Sequence, residues 1–419
     1  MEKRPPEHAQ RQERPESETE EVTVLVTAAQ RKPALAIART LGKREYEVVV
    51  ASHHRIAQSF FSRYATHTAV YTDPKRNERA FVADLLATVA RYDVDVLLPT
   101  DHVTTISVLR FRDRFASDLS IPAVEYETLL ATEDKARLLS IADDIGIPTP
   151  DTHRPGSLAE LEEIAAEIDY PAVIKHNKGV GASGVQYVTS PAELRSAYDS
   201  SGESTQHIER DWPLVQEYVP GETHDVNALF AEGEPRVAFT AHRTSTFPRS
   251  GGRAVITEST REPELVDSAT RLLEHLEWHG VAEVEFKLDA DGDPKLMEIN
   301  PRIWGNIDLA IRAGVDFPAL LCDLALTGAV TPPMSYAVGR KVIWIDEGLA
   351  SNLWASSGRL DYARYVAREY VTGAETPVEL SDVAPHVVRL LQLGARGARA
   401  AVQGGWQTLA SSVAGESGA

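Results

Sequence analysis

Residues 281–302 read VAEVEFKLDADGDPKLMEINPR. Two stretches that alternate apolar and polar side chains flank a cluster of turn formers, which predicts a β-hairpin. Asp291-Gly292 is a favoured pair for a two-residue type I′ turn. With that turn, Glu285 stands opposite Glu298, and Glu283 stands opposite Asn300. Side chains alternate faces along a strand, so Glu283, Glu285, Glu298 and Asn300 share one face. Val284, Phe286, Leu288, Met297 and Ile299 make the other, an apolar core face whose exception is Lys295, near the turn.

Directly opposed side chains lie about 4.5–5.5 Å apart at Cβ, and like charges placed so are destabilising. A hairpin that opposes carboxylates therefore calls for a compensating cation. Hard oxygen ligands select Mg²⁺ or Mn²⁺, with phosphates and water completing the shell. A solvated acidic strand face is the plainer alternative. Asn300 and Arg302 extend the acid pair into a pattern suited to phosphate.

Upstream, PAVIKHNKGVGASGVQYV (171–188) reads as a strand over 172–175, a polar glycine-rich loop, and a returning strand over 185–188. Gly179, Gly181 and Gly184 let successive amides converge on an anion. The loop is no P-loop, because Gly-Lys-Ser/Thr is absent and a strand follows. Lys175, on the entering strand, can place its ammonium on phosphate oxygens. In LVQEYVPGETHDVNALF (214–230) an apolar strand ends at Glu217 and turns through Tyr218, Val219, Pro220 and Gly221. Such an end offers a free carbonyl and amide between apolar walls, as the amino group and a ring nitrogen of adenine require. Taken singly, these two stretches are equally compatible with an ordinary hairpin and an ordinary strand turn.

Together, these residues resemble the ATP-grasp superfamily, and within it the ATP-dependent carboligases related to the large subunit of carbamoyl-phosphate synthase. The resemblance spans roughly Asp134 to Gly328, and EINPR with the following WGNIDLAIRAGVDFP carries it most specifically. It implies a Rossmann-like N-terminal domain followed by a two-subdomain α+β ATP-grasp domain that clamps ATP. It implies that Lys135 and Lys175 contact phosphates under a lid formed by Gly179–Gly184. Adenine would lie against Glu217, Tyr218 and Val219. Either Glu222 or Asp225 would reach the ribose. Glu285, Glu298 and Asn300 would hold magnesium, and Arg302 would steady the reacting phosphoryl group. AHRTSTFPRSGGRAV (241–255) is similar to the family's substrate-side loop. There Arg243, Arg249 and Arg253 can grip a carboxylate with two parallel hydrogen bonds; a solvated basic loop is the alternative.

The reaction so implied is ATP-dependent ligation of a small carboxylate to an amine through an acylphosphate. A small-molecule kinase on the same fold, or a nucleotide-binding scaffold without turnover, shares much of this residue pattern.

Ahead of the ATP-grasp region, residues 21–115 alternate strand-like and helix-like segments, which implies a parallel sheet covered by helices. A dinucleotide fingerprint is missing: after the first strand come Ala28, Ala29 and Gln30 instead of glycines. Asp101 and His102 follow a strand at its carboxyl end, where they either face a substrate or cap the next helix. The ATP-grasp domain is expected over 116–332 and a partly helical C-terminal extension over 333–419. Residues 1–20 contain no large aliphatic or aromatic side chain after Met1 and read as a disordered tail.

The net charge of −19 argues against coating nucleic acid or binding anionic membranes. No window is long and apolar enough to span a bilayer. Cys322 is the only cysteine, so no internal disulfide can form; with no signal peptide visible, the cytoplasm is the expected home. An apolar stripe from Val387 to Val413 suggests packing on the protein itself or on a second copy, as in a homodimer.

Overall fold

The computed structural model describes residues 21–177, 185–200, 212–247, 253–344 and 359–395. The expected tail over 1–20 and the end of the apolar stripe beyond 395 lie outside them.

The chain begins as β1 (Thr23–Val26), α1 (Lys32–Gly42), β2 (Glu47–Ser52), β3 (His67–Val70), α2 (Glu78–Tyr92), β4 (Val96–Leu98) and α3 (His102–Arg110). Their strands pair in parallel in the order β3-β2-β1-β4, a Rossmann-like sheet. Leu25 and Val49 face one apolar core, Val24 and Val48 the other, as a sheet covered on both sides requires. The turn after β1 is built without glycine. Ala28 takes φ +53°, and its N–H donates to Tyr71 Oη at 3.0 Å.

Two helices lead onward, α4 (Tyr126–Glu133) and α5 (Lys135–Asp144). Asp134 caps α5 by accepting the Arg137 N–H at 3.0 Å. A small antiparallel sheet follows. It contains β5 (Thr152–His153), β6 (Ala172–Lys175), β7 (Val185–Val188) and β8 (Leu214–Glu217), with α6 (Leu158–Glu167) and α7 (Pro191–Ser200) between them. Its order is β5-β8-β6-β7. Leu161, Ala165 and Leu194 pack the two helices onto Ile174 and Val215.

The large sheet holds β9 (Thr223–Ala231), β10 (Glu234–Phe247), β11 (Arg253–Thr260), β12 (Gly280–Leu288), β13 (Pro294–Asn300) and β14 (Lys341–Ile343), in the order β13-β12-β9-β10-β11-β14. Three helices accompany it: α8 (Pro263–His275), α9 (Ile307–Ala313) and α10 (Phe317–Thr327). One face of the sheet buries Val226, Ala228, Val284 and Phe286 against α4, α5 and α8. The opposite face is apolar at one end, where Leu229, Phe239 and Val281 meet α1, α9 and α10. At the other end that face turns polar, with Asp225 and Asn227 on β9. The site lies there.

Gly221 welds the small sheet's exit to the large sheet. Its N–H donates to the Leu288 carbonyl at 3.0 Å, and a Cβ at this position would lie 2.0 Å from that same oxygen.

The chain beyond 333, read from sequence as an extension, supplies the edge strand β14 and a helix α11 (Arg359–Val371). Glu375 then accepts from Arg312 at 2.8 Å and from Arg340. Further on, Asp382 reaches back to the N-terminal domain. Arg39, only 4% exposed, donates to its carboxylate through Nε at 2.8 Å and to its carbonyl at 2.8 Å.

Among the described residues, no helix is long and apolar enough to cross a membrane.

Candidate active site

The hairpin β12–β13 pairs Glu283 with Asn300 and Glu285 with Glu298, the expected register. It arrives there by a different route. The turn is not a two-residue one: Asp289 and Asp293 close it through an N–H to carbonyl bond of 2.9 Å, with Gly292 at φ +90°. That choice displaces the register by one residue, so Lys287 faces Lys295 and Phe286 faces Leu296. The register shift between Glu285 and Phe286 makes Met297 the extra residue of a β-bulge, which restores the pairing beyond it. Leu296, fully buried, therefore takes the core position expected for Met297. Lys287 and Lys295 fall on the site face.

Asn300 is the hub of that face. Its amide donates to Glu283 at 3.1 Å and to Glu285 at 3.0 Å, and lies 3.5 Å from Glu298. Its carbonyl accepts from Arg302 at 2.8 Å. Next door on β9, Asp225 is fully buried and lies opposite Glu285.

Arg243 is placed differently from its expected use. Its fork grips Asp225 from Nε at 2.8 Å and from one terminal nitrogen at 2.7 Å, and that nitrogen also reaches Glu285 at 2.5 Å. A guanidinium spent on two internal carboxylates is not open to a substrate carboxylate. Arg243 is the cluster's own counter-ion. It lies where the β10–β11 register is irregular, between His242 and Ser245.

The acids are held short of full ionisation. Burial pushes Glu283 well above the ordinary carboxylate value, and Asp225 adds to the rise while Arg243 opposes it. Burial likewise lifts Asp225 to about 6, against the pull of Arg243. Glu298 rises through burial and through Glu285 opposite, against Lys135 and Lys175. Burial is the main cause of each rise, and a divalent ion would favour the ionised forms. One oxygen each from Asp225, Glu283 and Glu285 lie within 4.8 Å of one another. This set and the expected trio of Glu285, Glu298 and Asn300 have Glu285 in common.

Two lysines arrive from elsewhere. Lys135, at the start of α5, lies 3.7 Å from Glu298. Asn177 fixes it there, accepting the Lys135 N–H at 3.2 Å and the Ala136 N–H at 3.1 Å. Lys175, at the end of β6, is pulled down to about 8 by burial; Glu298 resists this, and Lys135 reinforces it.

The β8 end is tied to the hairpin by two lysines. Glu217 accepts from Lys295 at 2.7 and 2.9 Å, and the Val219 carbonyl accepts from Lys287 at 2.7 Å. Lys287 also sits 5.6 Å above the Tyr218 ring. The sequence reading missed both lysines; strand alternation past the Met297 bulge is the signal that finds them.

Asp101 takes the helix-capping alternative. Its Oδ1 accepts the Thr104 N–H at 2.9 Å, and its Oδ2 lies 3.7 Å from Arg31. Gly179, Gly181, Gly184 and Arg249 lie outside the described residues. Arg253 opens β11, next to that gap.

A family model described as "ATP-grasp in the biosynthetic pathway with Ter operon" matches residues 209–347. Over these residues the chain resembles an ATP-grasp domain. The match takes in the ATP-grasp hairpin, Asp225 and Arg243. Among curated relatives, the arginine-specific large chain of carbamoyl phosphate synthase from Bacillus subtilis is 25% identical over 232 residues, 52% of this chain and 21% of that one. The chain spans only part of such relatives, from 20% of carnosine synthase 1 of Gallus gallus to 48% of N5-carboxyaminoimidazole ribonucleotide synthase of Pseudomonas aeruginosa. Among solved structures, Campylobacter jejuni biotin carboxylase in a βγ-ATP complex superposes with a TM-score of 0.64 at 17% identity, over 76% of this chain and 74% of that one. L-amino acid ligase from Bacillus licheniformis gives a TM-score of 0.56 at 17% identity, over 74% and 77%. Likeness at these identities concerns the fold. The resemblance read from EINPR and its surroundings is borne out, as is the α/β fold with its ATP-grasp architecture.

Proposed function

We propose that this protein is an ATP-dependent ligase that uses MgATP, or MnATP, to join a small carboxylate to an amine or similar nucleophile. One observation carries the reading. Glu285 faces Glu298 across a hairpin while Lys135 and Lys175 converge on the same acids from two other elements. Opposed carboxylates beside convergent lysines suit a phosphate chain bridged by a divalent ion.

In the proposed reaction a carboxylate oxygen attacks the γ-phosphorus and ADP leaves. The nucleophile then attacks the acyl carbon, phosphate leaves, and the nitrogen loses its proton. Glu285, Glu298 and Asn300 would hold the metal, beside the carboxylates of Asp225 and Glu283. Lys135 and Lys175 neutralise phosphate oxygens, with Gly179, Gly181 and Gly184 closing over them. Arg302, already oriented by Asn300, steadies the phosphoryl group in flight. Glu217, Tyr218 and Val219 frame the adenine. Because Arg243 is committed to Asp225 and Glu285, Arg249 and Arg253 are the better candidates for the substrate carboxylate.

The test is to incubate the protein with MgATP, a panel of carboxylic acids and hydroxylamine. An acylphosphate is trapped as a hydroxamate with stoichiometric ADP. A stable phosphate ester as sole product, with the acid untouched, overturns the ligase reading in favour of a kinase.

A further inference from the structure

A second concavity lies at the opposite end of the large sheet. It holds about 560 Å³ and is lined by Arg112, Asp118, Ser120, Glu232, Arg236 and His279, with the end of α10 as floor. Asp225 and Ala231 are six residues apart on β9, so the acid cluster and this concavity are separated by about 20 Å of strand. Nothing in the nucleotide reading uses it.

Its walls are firmly held. Arg112 donates to the carbonyls of Ile121 and Ala123 and to Glu125 at 3.1 Å, which fixes the loop that follows the N-terminal sheet. The β9–β10 connection is a tight turn with Glu232 at φ +52° and Gly233 at φ +80°. Gly280, at φ +84°, lets β12 start against that loop; a Cβ there would lie 2.6 Å from the Pro122 carbonyl. His279 is thereby pinned at the rim.

Arg236, His279 and Glu232 carry the groups left for a ligand. Arg236 has no hydrogen bond or ion pair with any described residue. Nδ1 of His279 accepts the Glu232 backbone N–H at 3.3 Å, so the neutral ring carries its proton on Nε2, which has no described partner. Glu232 and Asp118 place carboxylates on the same rim. A dense polyanion such as a nucleotide would meet those two acids, and a plain cation would meet the arginines. A molecule with both charges a few ångströms apart satisfies both. The volume suits something of amino-acid to dipeptide size.

We propose that this concavity binds a small zwitterion, a free amino acid or short peptide. Its carboxylate rests on Arg236 and the His279 Nε2–H, and its ammonium on Glu232. The site is separate from the catalytic one, so the same class of molecule can bind here whether or not it is also a substrate.

Calorimetric titration of the full chain with single L-amino acids and glycylglycine tests this, with succinate and butylamine as probes of one sign only. At least one zwitterion binds, and neither single-sign probe matches it. Arg236→Ala and Glu232→Gln each weaken that binding by about tenfold or more, as loss of a charge-assisted bond requires. Glu298→Gln, at the other site, leaves it unchanged. Both rim variants alter exposed side chains, Glu232 in the β9–β10 turn and Arg236 near the start of β10, and unchanged circular dichroism and thermal midpoint establish that they fold. Unaltered affinity in Arg236→Ala, loss of binding in Glu298→Gln, equal binding of succinate, or no heat from any zwitterion overturns the proposal.

Discussion

Glu285 and Glu298 face one another across β12 and β13, with the Asn300 amide donating to Glu285 at 3.0 Å and Lys135 lying 3.7 Å from Glu298. Two like charges in that position are tolerated only while cations share the space. Replacing Glu298 by Gln should therefore leave the thermal midpoint of the ligand-free protein unchanged or higher. Turnover should fall by about 10²-fold or more if Glu298 is a metal ligand as proposed. ADP release at saturating substrate measures this; undiminished release removes Glu298 from the metal site.

Arg243 makes the opposite case. Taking away its side chain strands Asp225, which is fully buried, and leaves Glu285 short of a partner. Arg243→Ala should destabilise the fold by about 3–5 kcal/mol in urea titration, as breaking a buried pair does. Mg²⁺ should restore more of the midpoint in the variant than in the parent, since the three acids around Arg243 have oxygens close enough to share an ion. A variant as stable as the parent without metal contradicts this assignment.

Lys175 gives a pH signature. Burial holds it at about 8 against an ordinary value of 10.5, so between those values the folded protein binds fewer protons than the unfolded chain. Stability then rises with pH across that window, and below it the penalty of a buried ammonium is present in full. Lys175→Met should be more stable than the parent at pH 7, and the gap should close as pH approaches the ordinary lysine value. Bound phosphates raise the ammonium's pKa, so nucleotide binding just above pH 8 should take up a proton. Calorimetry in buffers of different ionisation enthalpy reads that uptake, and it should vanish in the variant.

Gly221→Ala sets a Cβ 2.0 Å from the Leu288 carbonyl oxygen. The clash should part the small sheet's exit from the hairpin and cost about 1–3 kcal/mol, in the range of overpacked sites. Nucleotide affinity should drop with it, because Val219 and Lys287 meet at that seam. Chemical denaturation alongside nucleotide titration checks both; an unperturbed variant means the seam opens without strain.

The acid hairpin was legible because strand alternation and cross-strand pairing are local rules. Even so, the expected turn at Asp291-Gly292 was off by one residue, and only the bulge at Met297 returned Glu285 to Glu298. A bulge leaves no reliable mark in a single sequence. The role of Arg243 was not legible for a different reason. Its partner Asp225 lies eighteen positions away on a neighbouring strand, and the local register of β10 is irregular. A guanidinium suited to a substrate carboxylate and one suited to an internal carboxylate look alike in sequence. Asp101 illustrates the same limit: one residue type serves ligand or helix cap, and here it caps.

Arg39 and Asp382 meet across 343 positions of sequence. During synthesis the first sheet is complete long before Asp382 exists, and until then a guanidinium that will end up buried has no carboxylate to receive it. The N-terminal domain therefore lacks this contact until the segment around Asp382 has left the ribosome. A contact of such long range makes that closure slow. A ribosome stalled before residue 382 should display an N-terminal domain that proteases cut more readily than they cut the finished protein.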